Sequence, residues 1–133
     1  MTDKILPCVL GLGYVGLPVF TRLQKKFTTV GFDIDKKRIL DLKKRVDTNN
    51  EFSRNELIFR NKSFLSNSIK DIAKCNFFIV TVPTPLKKNK TPDLNSLFNA
   101  CKSIVKFLKN GDIIVFESTV YPGTSELLTK KIF

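Results

Sequence analysis

Residues 10–18 read LGLGYVGLP, and residues 31–35 read GFDID. Glycines therefore stand at 11, 13 and 16, and a carboxylate, Asp33, follows 20 residues after Gly13. A G-x-G-x-x-G string alone is weak, because glycines also serve merely to turn a chain. Here its surroundings give it weight. The apolar run CVLGLG leads into it, the helical pattern VGLPVFTRLQKK opens on it, and Asp33 closes the next apolar run, TTVGFD. Strand, glycine turn, helix, strand and acid are the ordered parts of a dinucleotide cradle.

Each part has a physical reason. Gly11 permits the tight turn, Gly13 leaves bare backbone for a pyrophosphate, and Gly16 lets the helix pack close to the strand. The N–H groups of Gly13, Tyr14 and Val15 then point at the phosphates, reinforced by the helix dipole. A carboxylate at Asp33 accepts hydrogen bonds from the adenosine ribose and repels a 2′-phosphate, so NAD is expected over NADP. Lys36, Lys37 and Arg38 beside it work against that selectivity.

Outward from this unit the alternation continues. DKKRILDLKKR reads as a helix with Ile39, Leu40 and Leu42 inward and bases outward, capped by Asp35 or Asp33. Pro7 fits at a strand's first residue, where its missing donor is tolerated. Residues 46–67 are polar and irregular, with a short helix expected around Arg54–Arg60 and a brief strand near Ser63–Leu65. IKDIAKC suggests one or two helical turns, and NFFIVTV a buried strand stopped by the prolines of PTP. Thr91-Pro92-Asp93 looks like a helix start. The helix after it places Leu94, Leu97, Phe98, Cys101, Ile104, Val105 and Leu108 on one face and ends at Gly111. DIIVFEST is a fifth strand, and YPGTSELLTKKIF opens another helix. Strands that are apolar throughout, alternating with helices, imply an α/β fold: a Rossmann-like, doubly wound parallel sheet in the order 3-2-1-4-5, helices on both faces. The carboxyl ends of the later strands, TVPTP and ESTVYPG, carry Thr84 and Thr119 in proline-punctuated turns, where ligands bind in such sheets.

Composition narrows the class. The chain has 133 residues, 42% of them apolar, which suits one globular domain over residues 1–133. No apolar run approaches the roughly 18 residues that span a bilayer, and nothing resembles a signal peptide, so a cytoplasmic protein without membrane partners is expected. There is no histidine, and Cys8, Cys75 and Cys101 fit no metal spacing. No metal site is expected, a histidine-based triad is excluded within this chain, and the thiols read as small core side chains. The net charge is +11, but the bases are mostly dispersed lysines without an aromatic-plus-basic motif. They read as a solvated surface that attracts an anionic cofactor rather than as a nucleic-acid footprint.

GLGYVGLP, GFDIDKKRI, VDTNNEFS, TVPTPLKKNKTPDL and ESTVYPGT together resemble the N-terminal domain of the UDP-glucose/GDP-mannose dehydrogenase family. Two of the segments look closest to its branch oxidising UDP-N-acetylhexosamines, N-acetylgalactosamine sugars among them, for polysaccharide synthesis. The resemblance implies an NAD-dependent oxidation of a sugar C6 alcohol to a carboxylate, consuming two NAD through a cysteine-bound aldehyde and thioester. It implies that Gly11, Gly13, Tyr14, Val15 and Gly16 hold pyrophosphate, and that Asp33 and Arg38 flank the adenosine ribose. Thr84 and Thr119 would approach the nicotinamide, Thr119 also as the residue orienting a catalytic water. The family's nucleophilic cysteine, its sugar-binding residues and its dimer contacts fall in segments that would follow Phe133. The UDP-sugar and a homodimeric or larger assembly are therefore expected only of a longer form, and this chain alone is expected to be inactive. Two other readings fit the cradle: a stand-alone nucleotide-sensing module, and a fragment of another NAD-dependent, hydroxyacid-type dehydrogenase.

Overall fold

The computed structural model describes residues 4–117 and 122–133. Five strands form one sheet: β1 (Pro7–Leu10), β2 (Val30–Phe32), β3 (Phe64–Ser66), β4 (Phe77–Val80) and β5 (Ile113–Phe116). Their order is β3-β2-β1-β4-β5, and every neighbouring pair runs parallel. That is the expected 3-2-1-4-5 order, with Pro7 at the first residue of β1. The helices are α1 (Gly16–Leu23), α2 (Lys36–Lys43), α3 (Asn95–Val105) and α4 (Thr124–Ile132), with a single 3-10 turn at Ile69–Ile72.

The side-chain alternation of the strands divides the core in two. Cys8, Leu10, Phe78 and Val80 point to one face, where Leu97, Cys101 and Ile104 of α3 and Leu128 of α4 cover them. Val9 and Ile79 point to the other, under Leu17 and Phe20 of α1 and Ile39 and Leu42 of α2. Phe20 is fully buried, and truncating it to alanine should cost about 3–5 kcal/mol. All three cysteines are free and buried, as core side chains should be. Burial pushes the Cys101 thiol up to about 11. It also raises Cys8 well above the usual thiol range, helped by the thiol contact with Cys75 that draws Cys75 down.

Several local expectations change. Leu40 is 46% exposed, because it is turned about 100° from Ile39 on the helix and misses the stripe that Ile39 and Leu42 share. Val105, at 36% exposed, likewise leaves the buried face of α3. No helix forms over 54–60. Ser53 and Glu56 make one capping turn, with the Ser53 N–H donating to Glu56 Oε2 at 2.7 Å, but the amides that would propagate it are diverted, Ile58 N–H to Glu56 O and Arg60 N–H to Gln24 Oε1. Arg45 Nε donates to Leu57 O and Gln24 Nε2 to Ile58 O. Pro92 does not open α3: it bridges to Leu86 across a small hairpin, and α3 starts at Asn95, whose N–H is capped by Asp93 Oδ1. The helix ends at Val105, so Gly111 (φ +94°) serves the turn into β5 instead. On β5 itself Ile113 is half exposed, so the outermost strand is not covered on both faces as an all-apolar strand suggests.

Candidate functional site

The chain reverses its direction across the sheet between β1 and β4, and a crevice opens there beyond the carboxyl ends of the strands. It is a cleft of about 740 Å³ whose lining includes Gly11, Gly13, Asp33 and Arg38.

The glycine turn is built by contacts that exclude larger residues. Gly11 has φ +94°, and its N–H donates to Phe32 O at 2.8 Å, tying the turn to the end of β2. A methyl on Gly16 would sit 1.6 Å from Gly11 O and 2.5 Å from Thr81 Oγ1. The third glycine therefore lets α1 begin directly against the turn as well as against the strand. A methyl on Gly13 would meet nothing within 4 Å, so the middle glycine borders open space. The N–H groups of Gly13, Tyr14 and Val15 donate to no acceptor among the described residues. Tyr14 and Val15 are exposed at the rim, where α1 begins. Three free amides at a helix N-terminus form a site for an anion.

Asp33 sits against this loop. Its Oδ2 accepts from Leu12 N at 2.8 Å and its Oδ1 from Asp35 N at 2.9 Å. Asp35, not Asp33, caps α2, accepting from the N–H groups of Lys37 and Arg38. Arg38 grips the other end of the same residue, donating from Nε to Leu12 O at 2.8 Å. Expected on the outer face of its helix, Arg38 is 9% exposed. The cause is Asp47, which accepts from Arg38 Nη1 at 2.8 Å while its own side chain is fully buried. Burial pushes the Asp47 carboxyl up, but Arg38 and the N–H groups of Asn49, Phe52 and Glu51 outweigh that and hold it below the usual carboxylate range. Arg38 Nη2 is buried with no partner among the described residues. Lys37 is tied to Asp41 at 2.6 Å, and that hydrogen bond raises its pKa.

Thr81 closes the turn from β4. Its hydroxyl lies 2.6 Å from Gly11 O and 2.9 Å from Leu10 O. Val82 and Pro83 line the cleft, whereas Thr84, half-buried on the same loop, lies outside the lining. Thr119 falls outside the described residues. Sequence reasoning missed one wall altogether. Ser96, Asn99, Ala100 and Ser103 of α3 line the cleft together with Ile34 and Thr48. Their i, i+3, i+4, i+7 spacing was a legible signal: a second stripe of small side chains beside the apolar one. Among the described residues no cluster of potential metal ligands occurs, and no helix is long and apolar enough to cross a membrane.

A family model described as the UDP-glucose/GDP-mannose dehydrogenase family, NAD binding domain, matches residues 5–133. The chain belongs to that family. Its NAD-binding domain is 49% identical over 118 residues to UDP-N-acetyl-D-glucosamine 6-dehydrogenase of Pseudomonas aeruginosa, covering 89% of this chain and 28% of that one. It is 34% identical over 133 residues to UDP-N-acetyl-D-mannosamine dehydrogenase of Methanocaldococcus jannaschii, covering 94% and 30%. The structure of UDP-D-ManNAc dehydrogenase from Pyrococcus horikoshii matches with a TM-score of 0.84 at 28% identity, covering 96% of this chain and 32% of that one. The chain thus spans under a third of the length of these relatives. The residues present fit an NAD cofactor: three amides have no acceptor among the described residues, Gly13 leaves room beside them, and Arg38, whose Nη2 has no partner among those residues, lines the same cleft.

Proposed function

We propose that this chain is the cofactor-binding part of a longer nucleotide-sugar 6-dehydrogenase, one that oxidises the C6 alcohol of a UDP-N-acetylhexosamine to the carboxylate with two NAD. The observation that carries the reading is the single linked unit of glycine turn, Leu12 and Asp33, with three amides unpaired beside it. The names of the relatives from Pseudomonas and Methanocaldococcus, both dehydrogenases of UDP-N-acetylhexosamines, support the sugar class.

In this reading the amides of Gly13, Tyr14 and Val15 hold the pyrophosphate, Gly11 and Gly16 shape the turn, and Asp33 with Arg38 Nη2 binds the adenosine ribose. NAD supplies the hydride acceptor. Thr84 and Thr119 belong on the nicotinamide side. Asp33 carries a charge that disfavours a 2′-phosphate, and the bases beside it offer less compensation than their number suggests, since Lys37 and Arg38 are each paired with a carboxylate. The UDP-sugar and any second subunit engage other parts of the longer protein, so the 133-residue chain binds cofactor without turning over.

Calorimetric titration tests this. NAD should bind the chain, and Asp33→Ala should weaken it about tenfold, the worth of one hydrogen bond to a charged group. No heat on adding NAD, with no protection against thermal unfolding, would overturn the reading.

A further inference from the structure

Arg38 stands where an arginine in this fold class would receive a 2′-phosphate, five residues after the ribose-binding acid. Its surroundings contradict that use. Nε is held on Leu12 O, Nη1 is shared between Asp47 Oδ1 at 2.8 Å and Thr48 Oγ1 at 3.2 Å, and only Nη2 is left over. Asp47 is itself fixed by the main-chain amides of Asn49, Glu51 and Phe52, so the pair cannot separate without unmaking the loop from 47 to 52. A guanidinium locked in this way brings a donor to the cleft but no net charge.

We propose that Asp47 is a specificity-determining residue for the cofactor: by neutralising Arg38 and holding its Nε and Nη1 on protein acceptors, it leaves one donor fit for a neutral ribose hydroxyl and no base for a 2′-phosphate. Asp33 rejects the phosphate by repulsion, and Asp47 does so by removing the attraction that would offset it. The inference rests on the function proposed above, and it assigns a role to a residue that neither touches the ribose nor lies in the glycine motif.

The test is calorimetric titration of the whole chain with NAD and, separately, NADP, alongside a thermal melt of each variant without ligand. Asp47→Asn retains an acceptor for the backbone and frees the charge. The ratio of NADP to NAD affinity should rise about tenfold, as one charge-assisted contact to phosphate requires. The double variant Arg38→Met, Asp47→Asn, which removes the ion pair without leaving a buried charge, should weaken both cofactors by the same factor, since only a ribose contact is lost. An Asp47→Asn variant that changes both affinities equally would overturn the inference and leave Asp47 a purely structural residue. So would a double variant Arg38→Met, Asp47→Asn that loses NADP selectively, and this second arm decides if Asp47→Asn alone does not fold. Failure of the unaltered chain to bind either cofactor would instead remove the function proposed above.

Discussion

At Gly16 one carbon atom decides whether the site exists. An alanine there would drive its methyl to 1.6 Å from Gly11 O, a backbone atom that cannot swing aside. Gly16→Ala should destabilise the fold by at least about 3 kcal/mol and abolish NAD protection, read by denaturant unfolding with and without cofactor. The placement of Gly11, Gly13, Gly16 and Asp33 around one turn was legible in the sequence because it is set by backbone geometry and by spacing along one strand–turn–helix unit. Asp47 was not legible, since nothing in VDTNNEFS says that its carboxylate reaches back to Arg38, nine residues away. Its depressed pKa has a consequence for pH. The stability it lends is present above the aspartate value of the unfolded chain and is lost as pH falls through the lower folded value. Acid unfolding followed by circular dichroism should therefore be shallower for Asp47→Asn than for the unaltered chain over that acidic window.

Among the elements, the five strands and the helices were recognisable because burial imposes a period on them, whereas the ends of α3 and the outward turn of Leu40 and Val105 were not. Within the irregular stretch from 46 to 63, the short helix expected around 54–60 is absent because the backbone is organised by side chains, from Arg45, Asp47, Gln24 and Glu56, rather than by a repeating ladder. One turn there is strained. Asn61 and Lys62 have φ of +51° and +57°, and Ser63 N donates to Arg60 O at 2.8 Å, the geometry of a type I′ turn. Such turns favour glycine at the second of these positions, so Lys62→Gly should raise stability by about 0.5–1 kcal/mol in urea unfolding. The small-residue face of α3 teaches a similar lesson. An amphipathic helix invites attention to its apolar stripe, and here the cleft is lined by the other one.

For the molecule as a whole, the sheet order followed from alternation and handedness, and the structure realises it strand for strand. Charge is the less balanced property. The chain carries +11, yet among the described residues only two ion pairs form, Lys37–Asp41 and Arg38–Asp47. Self-repulsion among the remaining bases should make the fold salt-stabilised. A melt at about 0.2 M sodium chloride should lie above one at about 0.02 M, where the screening length is about three times longer. An anionic cofactor in the cleft is attracted by the same surplus, without any base being assigned to it. The central claim, that the glycine turn and Asp33 form one dinucleotide-binding unit, is most directly tested by heteronuclear NMR on the isotope-labelled chain titrated with NAD. The account predicts saturable shifts centred on the amides of Gly13, Tyr14, Val15 and Asp33; shifts confined to other surfaces, or none at millimolar NAD, would contradict it.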